Sequence, residues 1–305
     1  MYELTIIGGG PAGVAAGVYA ARKKLKTVII SESFGGQSFV SAGVENWIGT
    51  KSVSGFDFAK MLEEHLRAQE DIEIIGDDKV ESVQKTEQGF SIITKSGKKL
   101  ETKYVLMATG SQRKKLGIPG EKEFDGRGVA YCSICDAPIF KGKDVAVIGS
   151  GNAGLEAVID LLPYATKIYL FTRTGEFKGD KVTQEKILGE SKVQSVVFAQ
   201  AEAIEGADFV TSIKYKDLKT GESKTLPIGG VFVEIGVIPS SDLVKDFVQL
   251  DSFGNVIVDH KTQQTSNPGI WAAGDVTDVL YKQNNISAGD AIKAVLNIDE
   301  KLRKR

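Results

Sequence analysis

The chain has 305 residues, of which 42% are hydrophobic and 26% charged, and its net charge is −2. This length and composition predict about two globular domains with sizeable cores. The near-neutral charge gives no basis for expecting nucleic acid or an anionic membrane surface as a partner. No apolar run reaches the ~20 residues that span a bilayer. The start of the chain has no signal-peptide features, and its two cysteines are not a disulfide framework, so a cytoplasmic protein is expected.

The first glycine-rich segment has the setting of a dinucleotide-binding turn. A strand pattern at Leu4–Ile7 precedes Gly8–Gly13, and a helical run at Val14–Ala21 follows. The next strand, Thr27–Ile30, leads to Glu32. Glycines let the backbone approach a pyrophosphate, the helix N-terminus attracts that anion, and the acid can accept hydrogen bonds from ribose hydroxyls. Strand, turn, helix and acid together predict a nucleotide site.

A second turn of the same kind follows later in the chain. The strand Asp144–Ile148 leads to Gly149–Gly154, then a helical run at Leu155–Leu162 and a strand at Lys167–Phe171. Two such turns predict two nucleotide-binding domains.

No acid stands at the position of the second turn that matches Glu32. Thr172 occupies it, with Arg173 beside it and Lys178 a few residues on. A missing acid and a nearby arginine suit a 2′-phosphate better than a free 2′-hydroxyl. The pattern therefore favours NADPH over NADH, although both cations are also compatible with plain surface charge.

Periodicity predicts the other main elements, including an amphipathic helix that buries Phe58, Met61, Leu62 and Leu66 on one face. The predicted helices span 57–69 and 288–301, and the predicted strands span 72–75, 90–94, 104–107, 231–235, 255–258 and 270–273.

The only two cysteines form the segment Cys132-Ser133-Ile134-Cys135, and Asp136 follows them. Two thiols at this spacing can close and reopen a disulfide and so carry two electrons. Half a zinc site or an inert buried pair are the alternatives. A zinc site needs two more ligands, and neither His65 nor His260 has a suitable neighbour, so no metal is predicted. Because neither histidine adjoins a motif, Asp136 is the nearest candidate for proton transfer.

Seven segments, in this order, resemble the low-molecular-weight thioredoxin reductase family of pyridine nucleotide-disulfide oxidoreductases. They are Gly8–Gly13, Gly35–Gln37, Val44–Trp47, Ala108–Gly110, Cys132–Asp136, Gly149–Gly154 and Ala273–Val276. The part from Cys132 to Gly154, with Lys282-Gln283, is also similar to the reductase part of the alkyl hydroperoxide reductase flavoprotein. The thioredoxin-like domain at the N-terminus of that flavoprotein is not expected here.

The resemblance implies an α/β fold with two Rossmann-like, three-layer ββα nucleotide-binding domains, the second inserted into the first. An FAD-binding domain would comprise 1–111 and 242–305. An NAD(P)H-binding domain carrying the CxxC would comprise 112–241.

The resemblance also implies the site residues. Gly8–Gly13 would hold the FAD pyrophosphate, Glu32 its ribose and Asp275 the ribityl or pyrophosphate region. The implied FAD-binding residues are Gly8, Gly10, Pro11, Ala12, Gly13, Glu32, Gly36, Gln37, Asn46, Val80, Ala108, Thr109, Gly110, Gly274, Asp275, Lys282 and Gln283. The NADPH-binding residues would be Gly149, Gly151, Asn152, Ala153, Arg173 and Lys178.

The implied reaction carries electrons from NADPH through FAD to the Cys132–Cys135 disulfide and on to a thioredoxin- or glutaredoxin-like protein. Cys135 would face the flavin, Cys132 would exchange with the partner, and Asp136 would move protons. A homodimer is the implied assembly.

The residues expected to bind the 2′-phosphate of NADPH depart from the pattern of the family. The His-Arg-Arg run and later Arg of the family are here Thr172-Arg173-Thr174 and Lys178. Two alternatives therefore stay open: a flavoprotein of this type fed by ferredoxin or another donor, and an NADH-dependent reductase of a peroxiredoxin system. A redox-inactive FAD-binding protein is a third, disfavoured by the intact CxxC-Asp segment.

Overall fold

The structure is a computed structural model that describes residues 1–41 and 43–304, with the backbone alone at Val40. The first strands are β1 (Tyr2–Gly9), β2 (Thr27–Phe34), β3 (Ile72–Ile75), β4 (Val80–Thr86), β5 (Gly89–Thr94), β6 (Lys99–Met107), β7 (Ser111–Arg113), β8 (Val129–Ala130) and β9 (Asp144–Ile148). The next are β10 (Lys167–Phe171), β11 (Val193–Val196), β12 (Ala199–Gly206), β13 (Val210–Asp217), β14 (Ser223–Pro227), β15 (Gly230–Val233), β16 (Val237–Pro239), β17 (Val258–Asp259), β18 (Gln264–Thr265) and β19 (Ile270–Ala272). The α-helices are α1 (Pro11–Arg22), α2 (Gly55–Arg67), α3 (Ser133–Asp136), α4 (Asn152–Leu161), α5 (Lys181–Leu188) and α6 (Asn284–Arg303), and short 3-10 helices span Gly36–Val40, Ala137–Phe140 and Gly274–Val276.

The chain folds into two compact units, one inserted in the other. Unit 1 comprises Met1–Gln112 and Ile238–Arg305, and unit 2 comprises Arg113–Val237. The two crossings between the units fall in β7 and β16, which pair as a two-stranded ribbon. The predicted fold class, two α/β units with the second inserted into the first, is confirmed.

Unit 1 is built on a mainly parallel sheet. Across the described residues this sheet has nine strands, with the order β17-β18-β19-β6-β1-β2-β3 and with β5 and β4 attached beside β6. Strand β1 pairs in parallel with both β2 and β6, which puts it at the centre of the sheet. Loops after the carboxyl ends of central parallel strands meet at one edge, where α/β folds bind ligands.

Successive residues of β1 enter two different cores, as the alternation of side chains along a strand requires. Leu4 and Ile6 pack under α1, α2 and α6 in one cluster. Ile7 packs with residues of β4 and β5 in the other. A sheet covered on both faces explains why the four residues Leu4–Ile7 of β1 are all buried, polar Thr5 included.

Unit 2 repeats this plan with a parallel sheet in the order β11-β10-β9-β15-β8 and an antiparallel sheet β12-β13-β14. Val145 and Val147 of β9 pack with the helices. Ala146 and Ile148 pack with the antiparallel sheet. The unit therefore has the predicted three layers.

Two local predictions need correction. Met61 is 38% exposed, whereas Phe58, Leu62 and Leu66 are buried as predicted, because Met61 lies at the margin of the apolar stripe of α2. Of the predicted strand 255–258, only Val258 lies in a strand, β17. Val256 forms isolated bridges with Leu250 and Thr277 instead of a continuous ladder. Among the described residues, no helix combines the length and apolar character needed to cross a membrane.

Candidate active site

The glycine turn of unit 1 brings strand, helix and a neighbouring strand into close contact. Gly8 has φ +113°, and a Cβ added there would lie 2.3 Å from the carbonyl oxygen of Ala108. A Cβ at Gly13 would lie 1.8 Å from the carbonyl oxygen of Gly8. These glycines are therefore required for α1 to begin directly over the end of β1. The free N–H groups at the start of α1 face the position that a pyrophosphate would take.

A cleft of about 780 Å³ opens above this turn. Twelve of the residues predicted to bind FAD line it: Gly8, Gly10, Pro11, Ala12, Glu32, Gly36, Gln37, Val80, Ala108, Thr109, Gly110 and Asp275. Its volume lies within the range typical of cofactor sites. Glycines at the places of closest backbone approach and an exposed acid at the end of β2 fit an adenine dinucleotide.

The polar residues around the cleft are held by the surrounding backbone. Thr109 Oγ1 donates to the Ser240 carbonyl oxygen over 2.7 Å, and Gln37 Nε2 donates to the Ser111 carbonyl oxygen. Ser287 Oγ donates to Asp275 Oδ1 over 3.2 Å. These bonds fix the orientation of groups that would contact the cofactor.

The other predicted FAD residues do not line the cleft. Gly13 lies behind the turn, and Gly274 has φ +74° with Ser287 packed against it. Lys282 Nζ donates to the carbonyl oxygens of Asp275 (2.7 Å) and Thr277 (3.1 Å) and so holds the turn that carries Asp275.

Asn46 Nδ2 donates to Gln283 Oε1 over 3.2 Å. Asn285 Nδ2 donates to the Asn46 carbonyl oxygen over 2.7 Å, and Asn284 Nδ2 donates to Ser38 Oγ over 2.9 Å. These bonds tie the start of α6 to Ser38 and to the segment that contains Asn46, and they give Asn284 and Asn285 a structural role that the sequence alone did not predict.

The glycine turn of unit 2 has the same geometry. Gly149 has φ +135°, and a Cβ there would lie 2.2 Å from the carbonyl oxygen of Glu234. A Cβ at Gly154 would lie 2.0 Å from the carbonyl oxygen of Gly149. Apart from its two chain neighbours, no described residue has an atom within 4 Å of a Cβ built on Gly151, so the turn is open where a phosphate would approach. Asn152 and Ala153 form the first turn of α4.

The segment after β10 is folded against this turn. Thr172 is buried and accepts a hydrogen bond from Ser150 Oγ over 3.2 Å. The backbone N–H of Lys178 donates to the Ser150 carbonyl oxygen over 2.8 Å. The side chains of Arg173 and Lys178 are exposed, so the structure brings two exposed cations to the rim of the second glycine turn.

Cys132 and Cys135 are joined by a disulfide. Cys132 precedes α3 and Cys135 lies within it, and the backbone N–H of Asp136 donates to the Cys132 carbonyl oxygen over 3.0 Å. Both cysteines are half-buried, whereas Ile134 is 60% and Ile139 51% exposed. The disulfide therefore lies beside an exposed apolar edge. Within the described part of the chain, no group of three or more His, Cys, Asp or Glu residues could hold a metal ion.

Asp136 has a perturbed carboxyl group. Burial raises its pKa to about 6, with a further increase from Asp125 and an opposing effect from Arg113. A carboxyl with a pKa near neutrality can both donate and accept protons, and it belongs to the residue next to Cys135.

A second carboxyl group, which the sequence analysis did not single out, lies close to the cysteines. Burial raises the pKa of Glu234 to about 7, although Arg113 and the backbone N–H of Ser133 both favour its charged form. The available signal was an acid inside the otherwise apolar segment 231–235, because a charge in a buried strand needs a partner or a function.

Comparison with known proteins gives a consistent picture. The family described as "Pyridine nucleotide-disulphide oxidoreductase" matches residues 2–293. The F component of alkyl hydroperoxide reductase from Staphylococcus aureus (strain Mu50 / ATCC 700699) is 41% identical over 296 residues, which cover 97% of this chain and 58% of that protein. This chain thus spans just over half the length of that relative.

Solved structures of similar fold match over nearly their whole length. Thioredoxin reductase from Streptococcus pyogenes MGAS5005 has a TM-score of 0.92 at 32% identity, covering 100% of this chain and 99% of that one. Thioredoxin reductase from Giardia duodenalis has a TM-score of 0.91 at 31% identity, covering 99% of each chain.

Proposed function

Because this chain belongs to the pyridine nucleotide-disulphide oxidoreductase family, we propose that it passes electrons from NADPH through FAD and the Cys132–Cys135 disulfide to a thioredoxin-like protein. The family and its structural relatives give the reaction class: an FAD-dependent disulfide oxidoreductase that uses a pyridine nucleotide. The observation that carries the proposal is a disulfide beside an exposed apolar edge, in the unit that also holds the second glycine turn.

FAD, when bound, supplies a two-electron carrier between a nicotinamide and a disulfide. We assign its pyrophosphate to the turn Gly8–Gly13, its ribose to Glu32 and its ribityl region to Asp275, because the first residues of the turn and both acids line the cleft of unit 1. The glycine turn of unit 2 would hold the nicotinamide nucleotide through the N–H groups at the start of α4.

Two electrons open the Cys132–Cys135 disulfide, and the site takes up two protons as it opens. We propose that Cys135 receives the electron pair from the flavin side and that Cys132 attacks the disulfide of the partner, which leaves reduced. Asp136 supplies and removes protons during this exchange, because its pKa of about 6 lets it change charge near neutral pH. The exposed Ile134 and Ile139 give a protein substrate an apolar surface beside the disulfide.

Similarity to alkyl hydroperoxide reductase supports a second candidate for the protein that accepts the electrons. The 41% identity with the F component of alkyl hydroperoxide reductase supports a role in a peroxide-reducing system, in which the acceptor is again a protein disulfide. NADPH remains our preferred donor because Arg173 and Lys178 are exposed at the second turn and no acid occupies position 172.

The Cys135→Ser variant tests the proposal. The FAD-loaded variant, mixed with NADPH without oxygen, should lose flavin absorbance at the wild-type rate, because the nucleotide turn is unchanged. It should not reduce a thioredoxin disulfide, since no internal disulfide can form. Thioredoxin reduction by Cys135→Ser, or no bleaching of the wild type by NADPH, would contradict it.

Two comparisons complete the experiment. NADH, mixed with the wild type in the same way, should bleach the flavin more slowly than NADPH. An exposed Ser191→Ala variant, in which both cysteines and the residues of the cleft remain, should behave as the wild type in both measurements.

A further inference from the structure

Glu234 is fixed at the edge of the unit 2 sheet, between the glycine turn and the cysteines. It directly follows β15, and its backbone N–H donates to the Ile148 carbonyl oxygen over 2.8 Å. Its own carbonyl oxygen lies where a Cβ on Gly149 would clash. With this backbone anchored and only 8% of the residue exposed, the side chain has little freedom to turn toward water.

Strand pairing brings Glu234 beside the start of α3, because β15 runs parallel to β8 with Phe232 opposite Ala130, two residues before Glu234 and Cys132 respectively. The backbone N–H of Ser133, next in sequence to Cys132, donates to this carboxylate. Ser133 Oγ donates to Asp160 Oδ2 over 2.7 Å. Glu234 therefore holds the backbone of Ser133, and Asp160, from another element, holds its side chain.

Charged groups from three elements face Glu234. Arg113 of β7 favours its charged form, whereas Asp160 of α4 and Asp136 of α3 disfavour it. The buried Glu234 carboxyl group is thus influenced by one guanidinium and two further carboxyl groups. A thiolate formed at Cys132 or Cys135 would add another negative charge, and like charges in a buried site raise the affinity for protons.

We propose that Glu234 takes up a proton when the Cys132–Cys135 disulfide is reduced and releases it when the disulfide reforms. The inference rests on the proposed function only in assuming that this disulfide is redox-active. Two electrons open the S–S bond; one sulfur binds a proton, the other remains a thiolate, and the second proton converts the Glu234 carboxylate to the acid. On reoxidation the thiolate supplies the electron pair and Glu234 loses its proton.

The starting pKa of Glu234 suits this role. Its value of about 7 in the disulfide form means that a nearby negative charge would shift its titration across the neutral range. Glu234 acts through Ser133 and through the charge balance of the site, and is therefore a positioning residue.

The test measures the equilibrium between the disulfide and dithiothreitol in the FAD-loaded protein from pH 6 to pH 9. The fraction of alkylated Cys132 and Cys135 after acid quenching gives the equilibrium constant. The Glu234→Gln variant keeps an acceptor for the Ser133 N–H and cannot bind the proton. Reduction takes up an additional proton only in the wild type. The equilibrium constant for reduction of the wild type should therefore fall, relative to that of Glu234→Gln, as pH rises. The fall should be about tenfold if reduction shifts the pKa of Glu234 by one unit.

Controls separate the proposed residue from its neighbours. Glu190→Gln, at an exposed site of the same unit, should follow the wild-type curve. The difference between wild type and Glu234→Gln should persist when both also carry Asp136→Asn. Parallel curves for wild type and Glu234→Gln would overturn the inference.

A measurement on the wild type covers the case in which Glu234→Gln does not fold. Proton uptake by the protein on reduction is followed with a pH indicator in weak buffer at pH 7.5 and corrected for the two protons that dithiothreitol releases when it is oxidised. It should exceed the thiol protonation calculated from the alkylation pH profile of the two cysteines. Equality of the two values would also overturn the inference. Both experiments use dithiothreitol in place of the nucleotide donor and the protein acceptor. They therefore test the role of Glu234 even if the proposed route of electrons from NADPH to a thioredoxin-like protein is wrong.

Discussion

At the scale of single residues, Asp136 combines a cost in stability with the role in proton transfer that we propose for it. Its folded-state pKa of about 6 lies above the ordinary 3.8, so folding favours the protonated form. This stabilisation is complete below about pH 4 and is lost as pH rises through 6. Asp136→Asn, which is always neutral, should therefore be more stable than the wild type above pH 6, by about 3 kcal/mol, in urea unfolding.

The same substitution should lower activity. Loss of a positioned proton carrier slows thiol–disulfide exchange by about 10²-fold or more, and the inflection near pH 6 in the rate profile should disappear. Asp208→Asn, at an exposed site of the same unit, should change neither stability nor rate. If Asp136→Asn is less stable than the wild type at pH 8 and its rate profile is unchanged, Asp136 has a structural role and does not transfer protons.

The sequence predicted some of these residues and missed others for a physical reason. The two cysteines and Asp136 are adjacent in sequence, so their chemistry is visible without a fold. Glu234 lies about a hundred residues from Cys132, and only the parallel pairing of β15 with β9 and β8 brings it to Ser133. The roles proposed for Gly13 and Lys282 depend on backbone contacts, which a linear pattern also does not contain.

At the scale of elements, the segment after β10 presents Arg173 and Lys178 at the rim of the second glycine turn. Buried Thr172 fixes the base of this segment, so two substitutions at its surface should not unfold it. The double variant Arg173→Ala/Lys178→Ala should raise the KM for NADPH about tenfold, corresponding to about 1.4 kcal/mol of lost charge interaction. The KM for NADH, which has no 2′-phosphate, should change less than about twofold.

The control is Lys186→Ala, which removes an exposed charge from α5. It should leave both KM values unchanged in steady-state flavin reduction. An equal rise for NADPH and NADH in the double variant would mean that the cations do not recognise a 2′-phosphate, and would favour another donor.

The main elements of the two nucleotide-binding folds followed from apolar runs and glycine turns, because their strands are buried on both faces. The predicted strands 144–148 and 167–171 coincide with β9 and β10. The antiparallel strands β12–β14 were not predicted. Only one face of that sheet is buried, and its exposed positions carry residues such as Gln200 and Glu205. These strands therefore contain no continuous apolar run that would identify them in the sequence.

At the scale of the whole molecule, each unit has its own hydrophobic cores. Two clusters are built from residues of unit 1 and two from residues of unit 2. Both tryptophans, Trp47 and Trp271, belong to unit 1, and Trp271 is fully buried there. Tryptophan fluorescence therefore reports the unfolding of unit 1, whereas far-UV circular dichroism reports both units.

This division predicts that the cofactor stabilises one unit selectively. If the FAD site lies wholly in unit 1, FAD at a hundred times its Kd should stabilise the flavin-free protein by about 2.7 kcal/mol in urea unfolding followed by fluorescence. Circular dichroism should show a second transition that FAD does not move, because the unit 2 cores gain no ligand. Coincident transitions that shift together would show that the two units unfold as one cooperative body.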